Sequence, residues 1–329
     1  MSFIHDAKLE IINNEIENDC CKLAVLGGII HSSGELSIKN KTFIMEIKTD
    51  LKELYPYVNS IMKSMYGENA EMELINDYKI DKTTYYKISF SKATTDQVLF
   101  DVGIMRRNEK GNNVFVDGID EYLIKEECCK KAFVKGAFLG STTSSIKIST
   151  DPTVKTNTGY HLEFVSHNES FLQDLQKLLF NFEINTRLVE RKNKYVLYVK
   201  DAEKVSDILA LVGASKSVLT LQNEIISRNL RNNVNRQVNC LSANINKTID
   251  ASLKQLKEIE YIIDTIGIES LDEDLQSVCL LRLANPEETL NDLVKLGELN
   301  LSKSGINHRF RKISKIYQNL INDNSNLNE

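Results

Sequence analysis

The chain has 329 residues, of which 42% are hydrophobic and 26% are charged, a composition typical of globular proteins. Its length suggests two or three domains, and a formal net charge of -5 argues against a surface that is basic throughout while leaving room for a local basic patch. No stretch approaches the roughly 18 apolar residues of a transmembrane helix, so we expect no membrane span and a protein of the reducing cytoplasm.

One segment of the chain occurs twice. The first copy, CCKLAVLGGIIHSSG, covers residues 20–34, and the second, CCKKAFVKGAFLGST, covers residues 128–142. Apolar residues recur at helical spacing in both copies, which predicts one helix from each. Small residues four positions apart share a helix face and let another backbone come close; they are Gly28 with Ser32, and Gly136 with Gly140. We therefore expect the two helices to pack on each other across a pseudo-twofold axis, the alternative being that each packs only on its own sheet.

The patterns that follow each copy predict the same order of elements. After the first copy, ELSIKNKTFIMEI predicts two strands, and the next helix should begin with Asp50 as N-cap and end at Gly67. A second hairpin and another helix complete the unit, and the second copy is followed by the same succession. Each repeat thus predicts a four-stranded antiparallel sheet with helices on one face, an α+β fold. We place this domain at residues 1–214, with repeats at about 15–107 and 125–214.

Residues 215–252 differ in composition from the rest of the chain. They are rich in Asn and contain neither Pro nor Gly, which predicts a long connecting helix, interrupted if anywhere near residues 232–235. Arg228, Arg231 and Arg236 make this linker locally basic, and Arg231 and Arg236 are candidates for auxiliary DNA contacts.

The C-terminal part predicts an all-α helix-turn-helix domain. A turn at Gly297 should separate the second helix from the third, which begins with Ser302 as N-cap and would be the recognition helix. We place the domain at residues 253–320, its motif at about 275–309, its first two helices at 275–284 and 289–295, and a disordered tail at 321–329.

Charge supports DNA binding by the third helix. Residues 302–320 contain five basic residues and no acidic one, whereas residues 248–300 contain twelve acidic and four basic residues. Cations are thus confined to the helix that would meet phosphate, while its opposite face should be core. The alternative is a small helical bundle whose last helix has a solvated basic face. The candidate DNA-binding residues are Ser302, Lys303, Ser304, Asn307, His308, Arg309, Arg311, Lys312 and Lys315.

Several segments resemble known families. The duplicated helix resembles the LAGLIDADG motif of homing endonucleases, with LGGIIHSSG and VKGAFLGST along its nine positions. The segments SKSGINHRFRKI, NPEETLNDLVKLG, NNVNRQVNCLSANINKT and GYHLEF closely resemble the WhiA family, and the resemblance covers nearly the whole chain. WhiA proteins join a degenerate LAGLIDADG-like domain to a C-terminal helix-turn-helix. The resemblance implies DNA binding, with roles in transcription control, cell division, chromosome segregation and, in filamentous relatives, sporulation.

An active endonuclease is the competing hypothesis. Such an enzyme needs a carboxylate at the end of each paired helix to hold a divalent metal against the scissile phosphates. Ser33 and Ser141 stand at those positions, and Glu35 has only Thr143 as its counterpart in the second copy. A one-sided acid cannot build a symmetric metal pair. We therefore predict no catalytic residue, no metal or other cofactor and no small-molecule substrate.

The partners that we expect are double-stranded DNA for the C-terminal domain and either nucleic acid or a regulatory protein, such as a sigma factor, for the N-terminal domain. The second hairpin of the first repeat is acidic, which favours a protein partner, whereas the matching hairpin of the second repeat is basic. DNA binding would place the protein on the nucleoid, away from the membrane.

Four of the six cysteines form two adjacent pairs, Cys20 with Cys21 and Cys128 with Cys129, and none lies in a CxxC pattern. The pairs could meet and bind a metal. Adjacent cysteines on a helix point about 100° apart, however, and chelate poorly together. We therefore expect these cysteines to act mainly as small buried hydrophobes.

Overall fold

The computed structural model describes residues 2–39, 42–76, 84–148, 159–296 and 302–326. It divides into two compact units, unit 1 (Met1–Arg228) and unit 2 (Asn229–Glu329). Unit 1 contains two repeats of helices and antiparallel strands, and the described part of unit 2 is helical. The predicted fold class is therefore confirmed.

The first repeat follows a short N-terminal helix, α1 (Phe3–Ile12), which the amphipathic start of the chain encodes. Its four strands pair antiparallel in the order β1-β2-β4-β3. The inward residues of the strands, such as Met45, Ile47 and Ile88, are buried under the helices, as alternation along a strand requires. The elements are α2 (Asp19–Ser33), β1 (Gly34–Lys39), β2 (Thr42–Thr49), α3 (Leu54–Tyr66), β3 (Glu71–Asn76), β4 (Thr84–Ser89) and α4 (Lys92–Asp101).

The second repeat has the same strand order, β7-β8-β10-β9, again antiparallel throughout. Its elements are α5 (Glu127–Ser141), β7 (Thr142–Ser144), β8 (Leu162–Ser166), α6 (Glu169–Phe180), β9 (Arg187–Arg191), β10 (Lys194–Val199) and α7 (Ala202–Leu211). A small hairpin of β5 (Met105–Arg107) and β6 (Asn113–Phe115), which the sequence patterns did not predict, connects the repeats.

Two local predictions for unit 1 were wrong. Asp50 does not cap α3, because the helix begins later, at Leu54, where Pro56 falls in the first turn and its missing N–H costs nothing. In the second repeat the segment SSIKIST predicts a strand over residues 144–150, but the strand there ends at Ser144, and residues 149–150 lie outside the described part. The predicted stop of α3 is confirmed, since Gly67 has a φ of 72° and donates its N–H to the Lys63 carbonyl oxygen at 3.1 Å.

The connecting segment is one continuous helix, α8 (Ser215–Ile266), of 52 residues. Residues 232–235, the expected position of any interruption, are helical, and the same helix continues through residues 253–266, which the sequence places in the C-terminal domain. Asn costs a helix only about 0.7 kcal/mol relative to Ala, and the segment has no Gly or Pro that would end it before Gly267.

The described part of unit 2 has three further α-helices, α9 (Glu273–Ala284), α10 (Leu290–Leu296) and α11 (Lys303–Asn326). The predicted turn at Gly297 lies outside the described residues. Residues 321–326 are helical, so the expectation of a disordered tail was wrong for them, and residues 327–329 are not described. Among the described residues, no helix is long and apolar enough to cross a membrane. The core of the unit consists mainly of Ile259, Ile262, Val278, Cys279, Leu293, Ile306 and Ile313.

Candidate nucleic-acid interface

The two helices of the duplicated segment, α2 and α5, are in backbone contact. A Cβ atom on Gly28 would overlap the carbonyl oxygen of Phe133 and lie 2.7 Å from the amide nitrogen of Ala137. A Cβ atom on Gly136 would overlap the carbonyl oxygen of Val25. Only glycine leaves room for two helix backbones at this distance, so these glycines position the ends of both helices.

The helix ends that would carry catalytic acids in an endonuclease carry serine hydroxyls here. Ser33 Oγ donates to the Ile29 carbonyl oxygen at 2.9 Å, and Ser141 Oγ donates to the Ala137 carbonyl oxygen at 3.0 Å. Each hydroxyl proton is thus held by a carbonyl one turn back in its own helix. A neutral hydroxyl in this state is a poor substitute for the carboxylate ligands that Mg²⁺ prefers.

Ser32 and Gly140, the other small residues of the two helices, meet near these serines. A Cβ atom on Gly140 would overlap Ser32 Oγ and lie 2.9 Å from Ser33 Oγ. Ser32 Oγ also donates to the Ile29 carbonyl oxygen at 3.0 Å. The C-terminal ends of the helices therefore lie close together, with small polar groups between them.

Carboxylates lie on the strands that follow these helix ends. Glu35 is exposed and faces Glu46 across β1 and β2, while its counterpart Thr143 faces Glu163 across β7 and β8. Sequence reasoning missed Glu46 and Glu163, which only the strand register reveals as equivalent. Glu163 Oε1 lies 3.2 Å from Arg191 Nη1, so this acid is paired within its own sheet.

A cavity of about 500 Å³ opens beyond the helix ends. Its lining includes Ser33 and Glu35, and also Lys48 of β2 and Lys194 of β10. Lys48 Nζ lies 4.7 Å from the centre of the Tyr85 ring. Among the described residues, the lining thus has two ammonium groups and one carboxylate, and it lacks the paired carboxylates that hold a divalent cation.

His31 also borders this cavity, but it belongs to the interior of unit 1. Its Nε2 lies 3.1 Å from the Val102 carbonyl oxygen, and its ring stacks on Phe171 with centroids 6.0 Å apart. Burial lowers the pKa of the imidazole below its usual value, although the carbonyl contact opposes that shift. His31 is therefore a neutral packing residue near pH 7.

The outer faces of the two sheets differ in charge. Residues paired across neighbouring strands share a face, so the register assigns each charged residue to one side. The outer face of the first sheet includes the acids Glu35, Glu46, Glu71 and Glu73 with Lys48 and Lys87. The outer face of the second sheet includes Arg187, Arg191 and Lys194 with one acid, Glu163.

In unit 2, Ser302 caps the N-terminus of α11. Its Oγ accepts the Gly305 N–H at 3.2 Å and lies 2.8 Å from Ser304 Oγ. Its carbonyl oxygen accepts the Ile306 N–H at 3.1 Å. The cap fixes the start of the helix and leaves Lys303 and Ser304 exposed in its first turn.

The two faces of α11 have opposite characters. Ile306, Phe310 and Ile313 are buried in the core of unit 2. Asn307 is half-buried at the edge of the exposed face. The exposed residues recur at intervals of three and four positions, which places most of them in one stripe opposite the core. They are Lys303, Ser304, His308, Arg311, Lys312 and Lys315.

Two of the predicted DNA contacts are engaged inside the protein. Arg309 Nη2 lies 2.9 Å from Asp274 Oδ2 at the start of α9, and the Arg309 side chain is only 17% exposed. This arginine ties α11 to α9, and the structure therefore does not present it with the exposed stripe. Arg231 on α8 is half-buried and takes part in other interactions, whereas Arg236 is exposed.

Arg282 was not singled out by sequence reasoning, yet it is hydrogen-bonded to the turn between α9 and α10. It is 2% exposed, and its Nη1 donates to the carbonyl oxygens of Glu288 at 2.7 Å and Asn285 at 3.3 Å. Its guanidinium lies 5.5 Å from the centre of the Phe310 ring. Burial lowers the pKa of the guanidinium below its usual value. The available signal was a lone basic residue within the apolar run VCLLRLA.

We expect Arg282→Met to destabilise unit 2 by about 2–3 kcal/mol, because the turn carbonyls lose a charged donor while similar volume is kept. Denaturant unfolding of the full chain, followed by circular dichroism, measures the change. Arg311→Met is the matched control on an exposed position and should change stability by less than about 0.5 kcal/mol. Equal midpoints for the two variants would contradict the role given to Arg282.

Models of known protein families match residues in both units of the chain. Models of the WhiA N-terminal LAGLIDADG-like domain, the WhiA LAGLIDADG-like domain and the WhiA C-terminal HTH domain match residues 19–105, 130–231 and 234–317. The first match covers the first repeat, and the second begins within α5 and continues through the second repeat into α8. The third includes the later part of α8 together with α9, α10 and most of α11.

Individual proteins are similar over nearly their full length. The chain is 36% identical over 325 residues to the probable cell division protein WhiA of Bacillus subtilis, covering 97% of each. It is 36% identical over 318 residues to the protein of the same description from Alkaliphilus metalliredigens, covering 96% of this chain and 97% of that one. Full-length DUF199/WhiA from Thermatoga maritima has a similar structure, with a TM-score of 0.56, 25% identity, and coverage of 97% of this chain and 99% of that chain.

Proposed function

The chain belongs to the WhiA family, and from this premise we propose that it is a sequence-specific DNA-binding protein that regulates transcription. Its relatives are named as probable cell division proteins, which supports a role in cell division and chromosome segregation. In sporulating relatives the same DNA binding would act on sporulation genes. This function places the protein in the cytoplasm, on the nucleoid.

The observation that carries the proposal is the exposed basic stripe of α11 opposite its buried face. A recognition helix needs one side anchored in the domain and the other free to enter the major groove. Lys303, Ser304 and Asn307 lie in the first two turns, where base edges are reached. Arg311, Lys312 and Lys315 lie further along the helix and would meet phosphates.

The test of sequence recognition is Asn307→Ala. Asn pairs with adenine through two hydrogen bonds, so its loss should relax the preference at one base position and cost about 1–3 kcal/mol on the preferred site. Selection of bound fragments from a random DNA library, together with genome-wide immunoprecipitation of the wild type, measures the preference. Arg311→Ala is the comparison and should weaken binding to all sequences alike. An unchanged site for Asn307→Ala would refute base reading by this residue.

We further propose that unit 1 binds without cutting. Ser33 and Ser141 stand in place of the acids of an endonuclease, and the described lining of the cavity beside Ser33 contains Lys48 and Lys194 together with a single carboxylate, that of Glu35. The assay incubates the purified protein and its DNA target with Mg²⁺ or Mn²⁺. Intact DNA is the expected result. Cleavage that disappears in Glu35→Gln would reveal a residual nuclease and refute the proposal.

A protein partner for unit 1, such as a sigma factor or another regulator, is the second candidate function. The observation in its favour is the acidic outer face of the first sheet, which would repel phosphate and attract a basic protein surface. The full chain with Glu71→Lys and Glu73→Lys should lose such a partner in crosslinking from cells while keeping its DNA affinity. Loss of DNA affinity instead would favour nucleic acid on this face.

A further inference from the structure

The two cysteine pairs converge at one end of the paired helices. Cys20 and Cys21 are the second and third residues of α2, and Cys128 and Cys129 are the second and third residues of α5. Because the two helices pack side by side, all four Sγ atoms lie within 4.8 Å of one another. Two adjacent cysteines on one helix chelate a metal poorly. The two helices together, however, bring four sulfur ligands to one point.

The spacing of the sulfurs suits a single tetrahedral ion. A tetrathiolate zinc centre has Zn–S bonds of about 2.3 Å, which places its sulfurs about 3.8 Å apart. The Sγ atoms of Cys128 and Cys129 are already 3.9 Å apart. Closing the widest gap requires the sulfurs to approach by about 1 Å, which side-chain rotation can supply.

The starts of the two helices leave the cluster open to a metal ion. Neither N-cap residue, Asn18 of α2 or Glu126 of α5, makes a side-chain capping hydrogen bond, so no cap side chain competes with the sulfurs at either helix start. Both helix dipoles direct their positive ends at the cluster, which stabilises negative sulfur.

A disulfide explains the arrangement less well. The Cα atoms of adjacent residues are about 3.8 Å apart, below the roughly 4.4–6.8 Å that disulfides span, so bonding within a pair is disfavoured. A disulfide between the helices would use only one cysteine from each helix and would leave the other two unexplained. Two such disulfides would use all four cysteines but would require an oxidant. A divalent ion binds all four sulfurs without an oxidant, because the four thiols only release their protons to solvent.

We propose that Cys20, Cys21, Cys128 and Cys129 form a closed tetrathiolate site for a divalent, thiol-seeking metal ion, with zinc as its occupant. The site joins the N-terminal ends of α2 and α5 across the pseudo-twofold axis. It lies about 20 Å, the length of these helices, from Ser33 and Ser141. With four protein ligands it leaves no position for water, so its role is structural. The inference does not depend on the proposed DNA-binding function.

The experiment uses the full chain, purified with reductant, stripped with a chelator and then titrated with Zn²⁺ in competition with a chromophoric chelator. One tightly bound zinc per chain is expected. Co²⁺ should give the visible bands of a tetrahedral tetrathiolate complex, and zinc should protect four of the six cysteines from a thiol reagent. A fully reduced wild type that binds no zinc would overturn the proposal, as would iron with inorganic sulfide in the purified protein.

The decisive variant is Cys20→Ser with Cys128→Ser, because both residues are exposed and their hydroxyls fit without repacking. Zinc affinity should fall at least about 100-fold, since even outer-shell changes cost 10–100-fold. In the presence of a chelator, the melting temperature of the double variant should equal that of the wild type. In the presence of Zn²⁺, it should be lower than that of the wild type. Cys240 is an exposed cysteine outside the cluster, and Cys240→Ser should have the zinc affinity and the melting temperatures of the wild type. Unchanged zinc affinity in the double variant would overturn the proposal.

Discussion

Replacing Arg311, Lys312 and Lys315 together with alanine should weaken DNA binding about 100-fold near physiological salt, or roughly 1 kcal/mol for each lost contact. These three side chains are exposed on the face of α11 opposite its core, so their removal deletes phosphate contacts without disturbing packing. Because each contact releases counterions, the salt dependence of the binding constant should become shallower by about three units. Fluorescence anisotropy over a series of salt concentrations measures both effects.

The matched control removes the same charge elsewhere in unit 2. Lys254, Lys257 and Lys295 are exposed and lie on α8 and α10. Their triple alanine variant should change affinity no more than about threefold through the overall field. If both triple variants weakened binding equally, the basic face of α11 would not be the recognition surface, and binding would reflect net charge alone.

Local periodicity was sufficient to predict most elements of the fold. The duplicated segment predicted α2 and α5, since both its apolar spacing and its glycines are local signals. The serine cap predicted the start of α11, and the segregated charge predicted its exposed face, because both are also local signals. Local rules failed where a helix end depends on more than one signal, as in α3 and α8, whose boundaries differ from those expected.

The site was less predictable, because side chains far apart in sequence decide it. The residues next to Arg309 in sequence do not predict its ion pair with Asp274. Those next to Arg282 do not predict its hydrogen bonds to the turn carbonyls. The convergence of four cysteines likewise needs the pairing of two helices 108 residues apart along the chain, as the positions of Cys20 and Cys128 show. Sequence spacing identified the candidate residues, and tertiary packing determined which of them are free to meet a ligand.

The second large effect is expected at the crossing of α2 and α5. Gly136→Ala should destabilise unit 1 by about 3 kcal/mol, because the new Cβ would overlap the Val25 carbonyl oxygen, and backbone of two packed helices yields only by separating them. Gly28→Ala, which meets the Phe133 carbonyl oxygen, should have a similar effect. Thermal unfolding followed by circular dichroism measures the loss as a fall in midpoint.

Gly159→Ala provides the control, since a Cβ there meets nothing within 4 Å, and its midpoint should stay within about 2 °C of the wild type. The double change Gly28→Ala with Gly136→Ala should cost less than the sum of the two single changes, because helices separated by the first methyl group have already made room for the second. Full additivity together with small single effects would mean that the helices do not meet through these glycines, and the paired-helix arrangement of unit 1 would then be wrong.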